Sequence, residues 1–325
     1  MTEFLHPTED NPVPADAVSG MLALRDGKRI RYARFAATGR PLKGTVVVFA
    51  GRNECIEKYF ETVRDLAARG FGVAMIDWRG QGGSDRMLRG KPRGYVRDFG
   101  EYVSDMEEFW RDVVLPDCRA PFYALGHSTG ALIALLAAPR LATQLRRMVL
   151  AAPLLEFADM PTSMKRTGRL ARALAMTGFG RVPMPGSAAS QPAPFAYNKL
   201  TSDPLRYARN VAIYRAHPEL ATGRPTVAWV GAVCRAVETV SDPGFMARLP
   251  VPTLIVAAGS DEVVSTLAIQ RYTRRLKANA AITIDGARHE MLQEADVYRQ
   301  QFFAAFDAFV PGSDLFPVQA ELSAS

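Results

Sequence analysis

Cysteine, histidine and long hydrophobic runs are all scarce in this chain of 325 residues. The three cysteines, Cys55, Cys118 and Cys234, are odd in number and far apart, which argues against a disulfide framework and a cysteine metal site. The longest apolar run, residues 131–138, falls well short of the roughly 18 residues that span a bilayer. The first residues have neither the basic start nor the apolar stretch of a secretion signal. We therefore expect a cytoplasmic globular protein.

Acidic residues are scarce between positions 161 and 240, where eleven Lys and Arg face three Asp and Glu. Because the net charge of the whole chain is +7, the remainder is close to neutral. A basic segment of this kind fits either an anionic partner or a solvated arginine-rich face. No nucleic-acid-binding motif accompanies it, so we expect no nucleic-acid partner.

Short β-branched runs alternate with amphipathic helical patterns along most of the chain. The runs occupy residues 45–49, 73–76, 122–125, 148–150, 253–256 and 281–284. Between them, apolar residues recur three or four positions apart. This alternation predicts an α/β fold with a mostly parallel sheet covered by helices on both faces. A strand-like stretch at residues 28–35 is expected to form part of an N-terminal antiparallel hairpin.

The alternation stops after residue 152 and resumes near residue 250. The intervening segment is rich in Pro, Met, Ala and Arg and has no parallel-strand pattern, so we predict a helical lid. Inserted there, it would lie above the carboxyl ends of the strands, where open α/β sheets have their sites. The predicted units are a flexible arm (1–20), a core (21–152 and 246–312), the lid (153–245) and a C-terminal tail (313–325).

One predicted helix of this lid is both basic and apolar. Lys165, Arg169 and Arg172 have the spacing of one helical face, with Leu170 and Leu174 on another. Such a helix more often covers a core than lies on a membrane. Peripheral contact with an anionic membrane, at its inner face, is therefore the less favoured alternative.

Residues 126–130, Gly-His-Ser-Thr-Gly, lie between a predicted strand and a helix that is apolar on every side. A nucleophile at such a corner needs a strained backbone, and the flanking glycines remove Cβ atoms that would collide there. The helix that begins after Ser128 points its free N–H groups and positive dipole end at this corner. The context predicts Ser128 as a nucleophile; a tight turn without chemistry is the alternative.

A serine hydroxyl needs a base to take its proton and a third group to orient that base. Among the four histidines, His289 follows the last predicted strand, where a base can reach Ser128. His127, inside the corner, is expected to pack rather than to act. Asp261 follows the strand at 253–256 and is the predicted orienting acid. Two competing acids are expected to face solvent and to cap a turn, respectively: Glu262 and Asp285.

An oxyanion hole needs two backbone donors directed at the developing negative charge. The N–H of Thr129, directly after the nucleophile, is one predicted donor. The other is the N–H of Arg52, in the loop after the strand at 45–49, where Gly51 allows a close turn. The Arg52 side chain is expected either to meet an anionic substrate group or to face solvent.

Three stretches of this chain resemble the α/β-hydrolase superfamily, and within it the monoacylglycerol lipases and bacterial lysophospholipases. Residues 51–59 (Gly-Arg-Asn-Glu-Cys-Ile-Glu-Lys-Tyr) are similar to the Gly-x-x-Glu-x-x-x-Arg/Lys-Tyr of that branch, and residues 77–84 (Asp-Trp-Arg-Gly-Gln-Gly-Gly-Ser) to a loop of the wider fold. The third stretch most resembles bacterial lysophospholipases, through Asp98, Phe99, Tyr102, Asp105, Phe109 and Trp110.

The resemblance implies the α/β-hydrolase fold, in which nucleophile, acid and base follow in the order Ser, Asp, His, as they do here. Glu54 and Lys58, four residues apart, are then expected to pair and to support the oxyanion loop. Two positions depart from the family: Ala50 stands where histidine is frequent, and Ala131 where the corner has a third glycine.

The implied activity is a serine hydrolase for single-chain lipid esters, with lysophospholipids first and monoacylglycerols second. A general carboxylesterase or thioesterase, and a receptor of this fold with little turnover, are the alternatives. We expect no cofactor and no metal, because the sequence has no ligand cluster and no phosphate-binding glycine loop after its first strand.

Overall fold

A central sheet of eight strands runs through the molecule in a computed structural model, which describes residues 2–89, 92–159, 162–184, 193–276 and 279–310. The strands are β1 (Ala17–Ala23), β2 (Arg29–Phe35), β3 (Gly44–Phe49), β4 (Phe71–Ile76), β5 (Phe122–His127), β6 (Leu145–Ala151), β7 (Thr253–Ala258) and β8 (Asn279–Ile284). Their order is β1-β2-β4-β3-β5-β6-β7-β8. β1, β2 and β4 pair antiparallel, and the neighbours from β4 to β8 pair parallel. The predicted mostly parallel sheet and its N-terminal hairpin are confirmed.

Helices cover this sheet. They are α1 (Phe60–Ala68), α2 (Phe99–Phe109), α3 (Leu115–Asp117), α4 (Thr129–Ala137), α5 (Met164–Met176), α6 (Pro204–Ala216), α7 (Val227–Val240), α8 (Pro243–Ala247), α9 (Thr266–Thr273) and α10 (Asp296–Phe309). Every residue of β3, β5 and β7 is buried, as expected of strands with both faces covered. α4 is buried at every position except Leu136, which matches its apolar sequence on all sides.

The N-terminal residues are packed on the core, and the predicted arm is corrected at its end because β1 begins at Ala17. Before that strand, Leu5 is buried. Arg31 Nη1 donates to the Phe4 carbonyl at 2.7 Å, and Asn11 Nδ2 donates to that of Glu57 at 2.9 Å. These partners are distant in sequence, so no local pattern reveals the packing. The predicted C-terminal tail, 313–325, lies outside the described residues.

The described residues between β6 and β7 form helices and contribute no strand to the sheet. α5 packs on α7, and α7 packs on α4. Several hydrogen bonds connect this insertion to the loops after β3 and β8. Tyr214 Oη donates to the Asn53 carbonyl at 2.9 Å, and the Glu290 N–H donates to the Leu200 carbonyl at 2.8 Å. The insertion therefore lies beside the carboxyl ends of these strands.

The basic charges of the insertion are partly paired. Arg206 and Arg209 each form an ion pair with Glu61 of α1. α5 covers the core as expected, but through Met164, Gly168 and Ala171, whereas Leu170 and Leu174 are 63% and 39% exposed. Within the described ranges, every helix is too short or too polar to cross a bilayer.

Candidate active site

Ser128 lies at the sharp corner between β5 and α4. Its φ and ψ angles are 52° and −116°, a conformation that residues with side chains rarely adopt. A Cβ on Gly130 would lie 2.0 Å from the Phe49 carbonyl oxygen, and one on Gly126 would lie 2.7 Å from the Cα of Ala131. The corner therefore requires glycine at both flanking positions.

His289 connects Ser128 and Asp261 through two hydrogen bonds. His289 Nε2 lies 3.0 Å from Ser128 Oγ, and His289 Nδ1 lies 2.8 Å from Asp261 Oδ2. The three residues follow β5, β7 and β8, whose carboxyl ends lie at one edge of the sheet. Ser128 and His289 are buried, and the Asp261 side chain is 0% exposed. This geometry allows His289 to accept the Ser128 proton at Nε2 while it donates to Asp261 from Nδ1.

The Asp261 carboxylate is held on both sides. Its Oδ1 accepts hydrogen bonds from the N–H groups of Val263 and Val264, at 2.8 and 2.9 Å. Burial raises the pKa of Asp261, but the bond to His289 and these backbone donors outweigh it, so the pKa lies below its ordinary value. Asp261 is therefore ionised at neutral pH, which favours the His289 tautomer with its proton on Nδ1.

The two competing acids lie at the surface. Glu262 has a side chain 60% exposed and pairs with Lys199 at 3.2 Å. Asp285 is exposed in the turn after β8. In the described structure neither acid forms a hydrogen bond to His289.

Two backbone N–H groups near this corner are available to a ligand. Thr129 is the first residue of α4, so its N–H has no helical carbonyl one turn earlier to bond. In the loop after β3, the N–H groups of Gly51 and Asn53 donate to side chains. The N–H of Arg52, between them, donates to no acceptor among the residues described.

Glu54 is the centre of a buried network beneath this loop. It accepts hydrogen bonds from the Gly51 N–H, from Tyr59 Oη at 2.6 Å and from Lys58 Nζ at 2.8 Å, and it lies 3.2 Å from His127 Nδ1. Glu54 and Lys58 thus form the pair that their spacing predicts. A Cβ on Gly51 would lie 2.7 Å from the Glu54 carboxylate, which explains the glycine.

The same network reaches the loop that carries His289. Lys58 Nζ donates to Glu290 Oε1 at 2.5 Å, and His127 Nε2 lies 3.1 Å from the His289 carbonyl oxygen. His127 was expected only to pack, but it bridges Glu54 and the His289 backbone. The bridged residues are 73 and 162 positions away in the sequence. The only local signal for this role is a polar histidine at the end of an apolar strand.

Charges within the network support one another. Burial raises the pKa of Glu54, but the Lys58 ammonium and the His127 ring hold it well below its ordinary value. Burial lowers the pKa of Lys58, yet Glu290 and Glu54 raise it above its ordinary value. Burial also lowers the pKa of His127, and Glu54 more than reverses this effect. Each buried charge is therefore paired, as stability requires.

The loop at residues 77–84, which in the sequence indicates only the fold, also forms hydrogen bonds to the loop after β3. Trp78 Nε1 donates to the Ala50 carbonyl at 2.8 Å, and Gln81 Oε1 accepts from the Asn53 N–H at 2.6 Å. Sequence reasoning missed these supporting residues because the two loops are separate in the chain.

A second cluster of ionisable side chains joins the N-terminal segment to the insertion. His6, His217 and Glu219 each place one possible ligand atom within 4.8 Å of the others. Burial and the Arg31 charge lower the pKa of His6, and Arg86 donates to the Glu219 carbonyl. Because these arginines oppose a cation, we assign no metal to the cluster.

Comparisons with known proteins agree with this geometry. A family model described as serine aminopeptidase, S33 (Hydrolase_4) matches residues 40–296. Lysophospholipase L2 of Escherichia coli (strain K12) is 34% identical over 279 residues, which cover 83% of this chain and 80% of that protein.

Two solved structures have the same fold. A soluble variant of monoglyceride lipase from Saccharomyces cerevisiae gives a TM-score of 0.70 at 18% identity and covers 91% of this chain and 97% of its own. Monoacylglycerol lipase of Paleococcus ferrophilus gives 0.67 at 22% identity, with coverage of 87% and 99%. The family match spans most of the sequence, so the chain belongs to the serine aminopeptidase, S33 family of the α/β-hydrolase superfamily.

Proposed function

We propose that this protein is a serine hydrolase that cleaves carboxylic esters of single-chain lipids, lysophospholipids in preference to monoacylglycerols. The observation that carries the proposal is the buried hydrogen-bonded series Asp261, His289 and Ser128 at the ends of three strands. The relative with 34% identity is named a lysophospholipase, which supports the substrate class.

In the first half of the proposed reaction, Ser128 Oγ attacks the acyl carbonyl carbon and His289 Nε2 takes the hydroxyl proton. The negative charge that develops on the carbonyl oxygen accepts hydrogen bonds from the N–H groups of Arg52 and Thr129. His289 then gives its proton to the departing glycerol oxygen, which leaves the acyl group on Ser128. In the second half, water loses a proton to His289 and attacks the acyl-enzyme, and His289 returns that proton to Ser128 Oγ as the fatty acid leaves.

Asp261 orients His289 throughout and stabilises the charge on its ring. Gly51, Glu54 and Lys58 do not touch the substrate in this scheme. They keep the Arg52 N–H in place through the buried network, so we assign them a positioning role.

We assign residues 153–245 the role of a lid over a core of 21–152 and 246–312. Two contacts with the site support this assignment. Arg52 Nη1 donates to the Gly223 carbonyl at 3.1 Å, and the Glu290 N–H donates to the Leu200 carbonyl at 2.8 Å. Ser128 is only 7% exposed, so a lipid reaches it when this segment moves.

Peripheral contact with an anionic membrane is proposed for α5. Lys165 and Arg169 are exposed there beside Leu170 and Leu174, a combination that suits anionic lipid. Vesicles of phosphatidylglycerol should bind the wild type more strongly than a Leu170→Gln/Leu174→Gln variant, and vesicles of phosphatidylcholine should bind neither. Equal binding of both proteins would refute the contact.

The test of the activity is a lipid analysis with wild type and Ser128→Ala. Wild type should release fatty acid from lysophospholipid faster than from monoacylglycerol, and Ser128→Ala should release none. Added salt should slow lysophospholipid hydrolysis more than monoacylglycerol hydrolysis, because it screens the attraction between the lipid phosphate and the basic residues of the protein.

Two other results would contradict the lipid assignment. Faster hydrolysis of short acyl esters or thioesters would indicate a general carboxylesterase or thioesterase. A single labelling of Ser128 without steady turnover would indicate a receptor.

A further inference from the structure

Arg52 places a cationic side chain beside the proposed oxyanion donor without an acidic partner. Its Nη1 donates to the Gly223 carbonyl oxygen at 3.1 Å, and its Cζ lies 5.6 Å from the centre of the Trp229 ring. Among the described residues no carboxylate pairs with it. Arg31, in contrast, is 1% exposed and pairs with Glu57 at 2.6 Å.

A guanidinium in this position has lost water without gaining a counter-ion. Burial lowers the pKa of Arg52 to about 10, so the side chain is still charged at neutral pH. The contact with the face of the Trp229 ring offsets only part of this cost. Arg52 as a whole residue is only half-buried, so part of it is open to an approaching anion.

The layout of Arg52 matches that of a lysophospholipid. In the lipid, a glycerol unit separates the ester carbonyl from the phosphate. In Arg52, the aliphatic stem separates the backbone N–H from the guanidinium by a comparable number of bonds. One residue can therefore donate to the carbonyl oxygen through its backbone and to the phosphate through its side chain, whose planar donors suit phosphate oxygens.

We propose that the Arg52 guanidinium binds the phosphate group of lysophospholipid substrates and so selects them over monoacylglycerols. This inference rests on the proposed function and names the residue that decides its substrate preference. The subsite is completed by the Gly223 carbonyl, which orients the guanidinium, and by Trp229 of α7. It therefore lies between the oxyanion loop and the insertion.

The experiment compares kcat/KM for 1-palmitoyl-lysophosphatidylglycerol with that for 1-palmitoylglycerol. In Arg52→Gln we expect the ratio of the two values to fall about 10- to 100-fold, the range for loss of hydrogen bonds to a charged group. The ratio is the readout because a shift of the Arg52 N–H would slow both substrates alike. Arg52→Lys keeps the positive charge but not the two parallel donors of the guanidinium, so the ratio should fall less than in Arg52→Gln.

Arg215→Gln is the matched control. Arg215 is exposed on α6 and has no ion pair in the described ranges, so this variant makes the same change in net charge away from the subsite. Its ratio should equal that of wild type. A similar fall in both variants would mean that general charge, not Arg52, sets the preference, and would overturn the inference.

Inorganic phosphate separates a lipid headgroup from a free anion. It should inhibit monoacylglycerol hydrolysis by wild type more than by Arg52→Gln if the subsite accepts phosphate. Such inhibition with an unchanged substrate ratio would show a free-anion site and overturn the headgroup assignment. An unchanged ratio in a folded Arg52→Gln protein, with active wild type, defeats this inference alone; inactive wild type on both lipids defeats the proposed function as well.

Discussion

At the scale of single residues, the hydrogen bonds of the Asp261 carboxylate fix its orientation and its charge. The Asp261 carboxylate has its two oxygens in different roles, one on backbone N–H groups and one on His289. Its orientation is therefore independent of the histidine, and a change of charge at this position leaves the shape of the loop largely intact.

Asp261→Asn should lower kcat on the order of 10³- to 10⁴-fold, because the amide does not stabilise the protonated His289 ring or its tautomer. Steady-state kinetics with lysophospholipid measures this loss. Glu262→Gln and Asp285→Asn are controls at exposed neighbouring acids and should stay within about twofold of wild type. A larger loss in either control would assign the acid differently.

His127 gives a second prediction, on the pH dependence of stability. Burial lowers its pKa, but Glu54 raises it above the ordinary value of 6.5. A raised pKa means that this contribution to stability is fully present below pH 6.5 and is lost as pH rises through the folded-state pKa. The difference in free energy of unfolding between wild type and His127→Gln should therefore shrink as pH rises.

Urea unfolding of both proteins at a series of pH values measures that difference. Groups that do not contact His127 titrate alike in wild type and variant and cancel, and the pKa of Glu54, which does contact it, is held well below 4.5. A difference that stays constant with pH would mean that His127 binds no additional proton in the folded state.

At the scale of elements, the close approach of α4 to β3 fixes the position of Ser128. A Cβ on Gly130 would lie 2.0 Å from the Phe49 carbonyl oxygen and 2.5 Å from that of Ala50. Since both atoms belong to the backbone, neither can move without displacing the loop that carries Arg52.

Gly130→Ala should therefore lower the free energy of unfolding by about 3 kcal/mol or more, or prevent folding. Gly72→Ala in β4 is the matched control, because its new Cβ would come no closer than 3.4 Å to a neighbour. We expect it to change stability by less than about 1 kcal/mol. Equal losses in chemical denaturation would show that backbone crowding at Gly130 is not the cause.

At the scale of the whole molecule, ion pairs hold the insertion on the core. Arg206 of α6 bonds to Glu61 of α1 at 2.7 Å and to Asp296 of α10 at the same distance. Burial raises the pKa of Glu61, but Arg206, Arg299 and Arg209 lower it to about 2. The ion pairs of Arg206 thus connect the insertion to an early helix of the core, α1, and to its last helix, α10.

Glu61→Gln should lower the free energy of unfolding by about 1–2 kcal/mol at neutral pH, a value reduced because the pair is partly solvated. A lowered pKa means that this stability is present above pH 4.5 and is lost as pH falls toward 2, so the difference from wild type should vanish there. Denaturation at several pH values measures it. Glu156→Gln removes an exposed pair with Arg271 and should have little effect at any pH.

Much of the fold could be predicted from local patterns. Each predicted β-branched run lies within or on a strand of the sheet, and the N-terminal hairpin is present. The strand ends differ from the prediction: β4 begins at Phe71, two residues before the predicted run. The packed N-terminal residues were missed because their partners, such as Arg31 and Glu57, are distant in the chain.

The sequence by itself determined the succession of strands and helices along the chain, because periodicity and turn residues act locally. It also determined which serine, acid and histidine directly follow the ends of strands. Only the tertiary structure decided that His127 bridges two loops, that Arg52 has no carboxylate beside it and that Leu170 is exposed. Each of these features depends on which residues, distant in sequence, lie next to each other in the fold and which stay exposed to solvent. Burial and charge pairing arise only when the chain is folded, so no spacing along the sequence contains them.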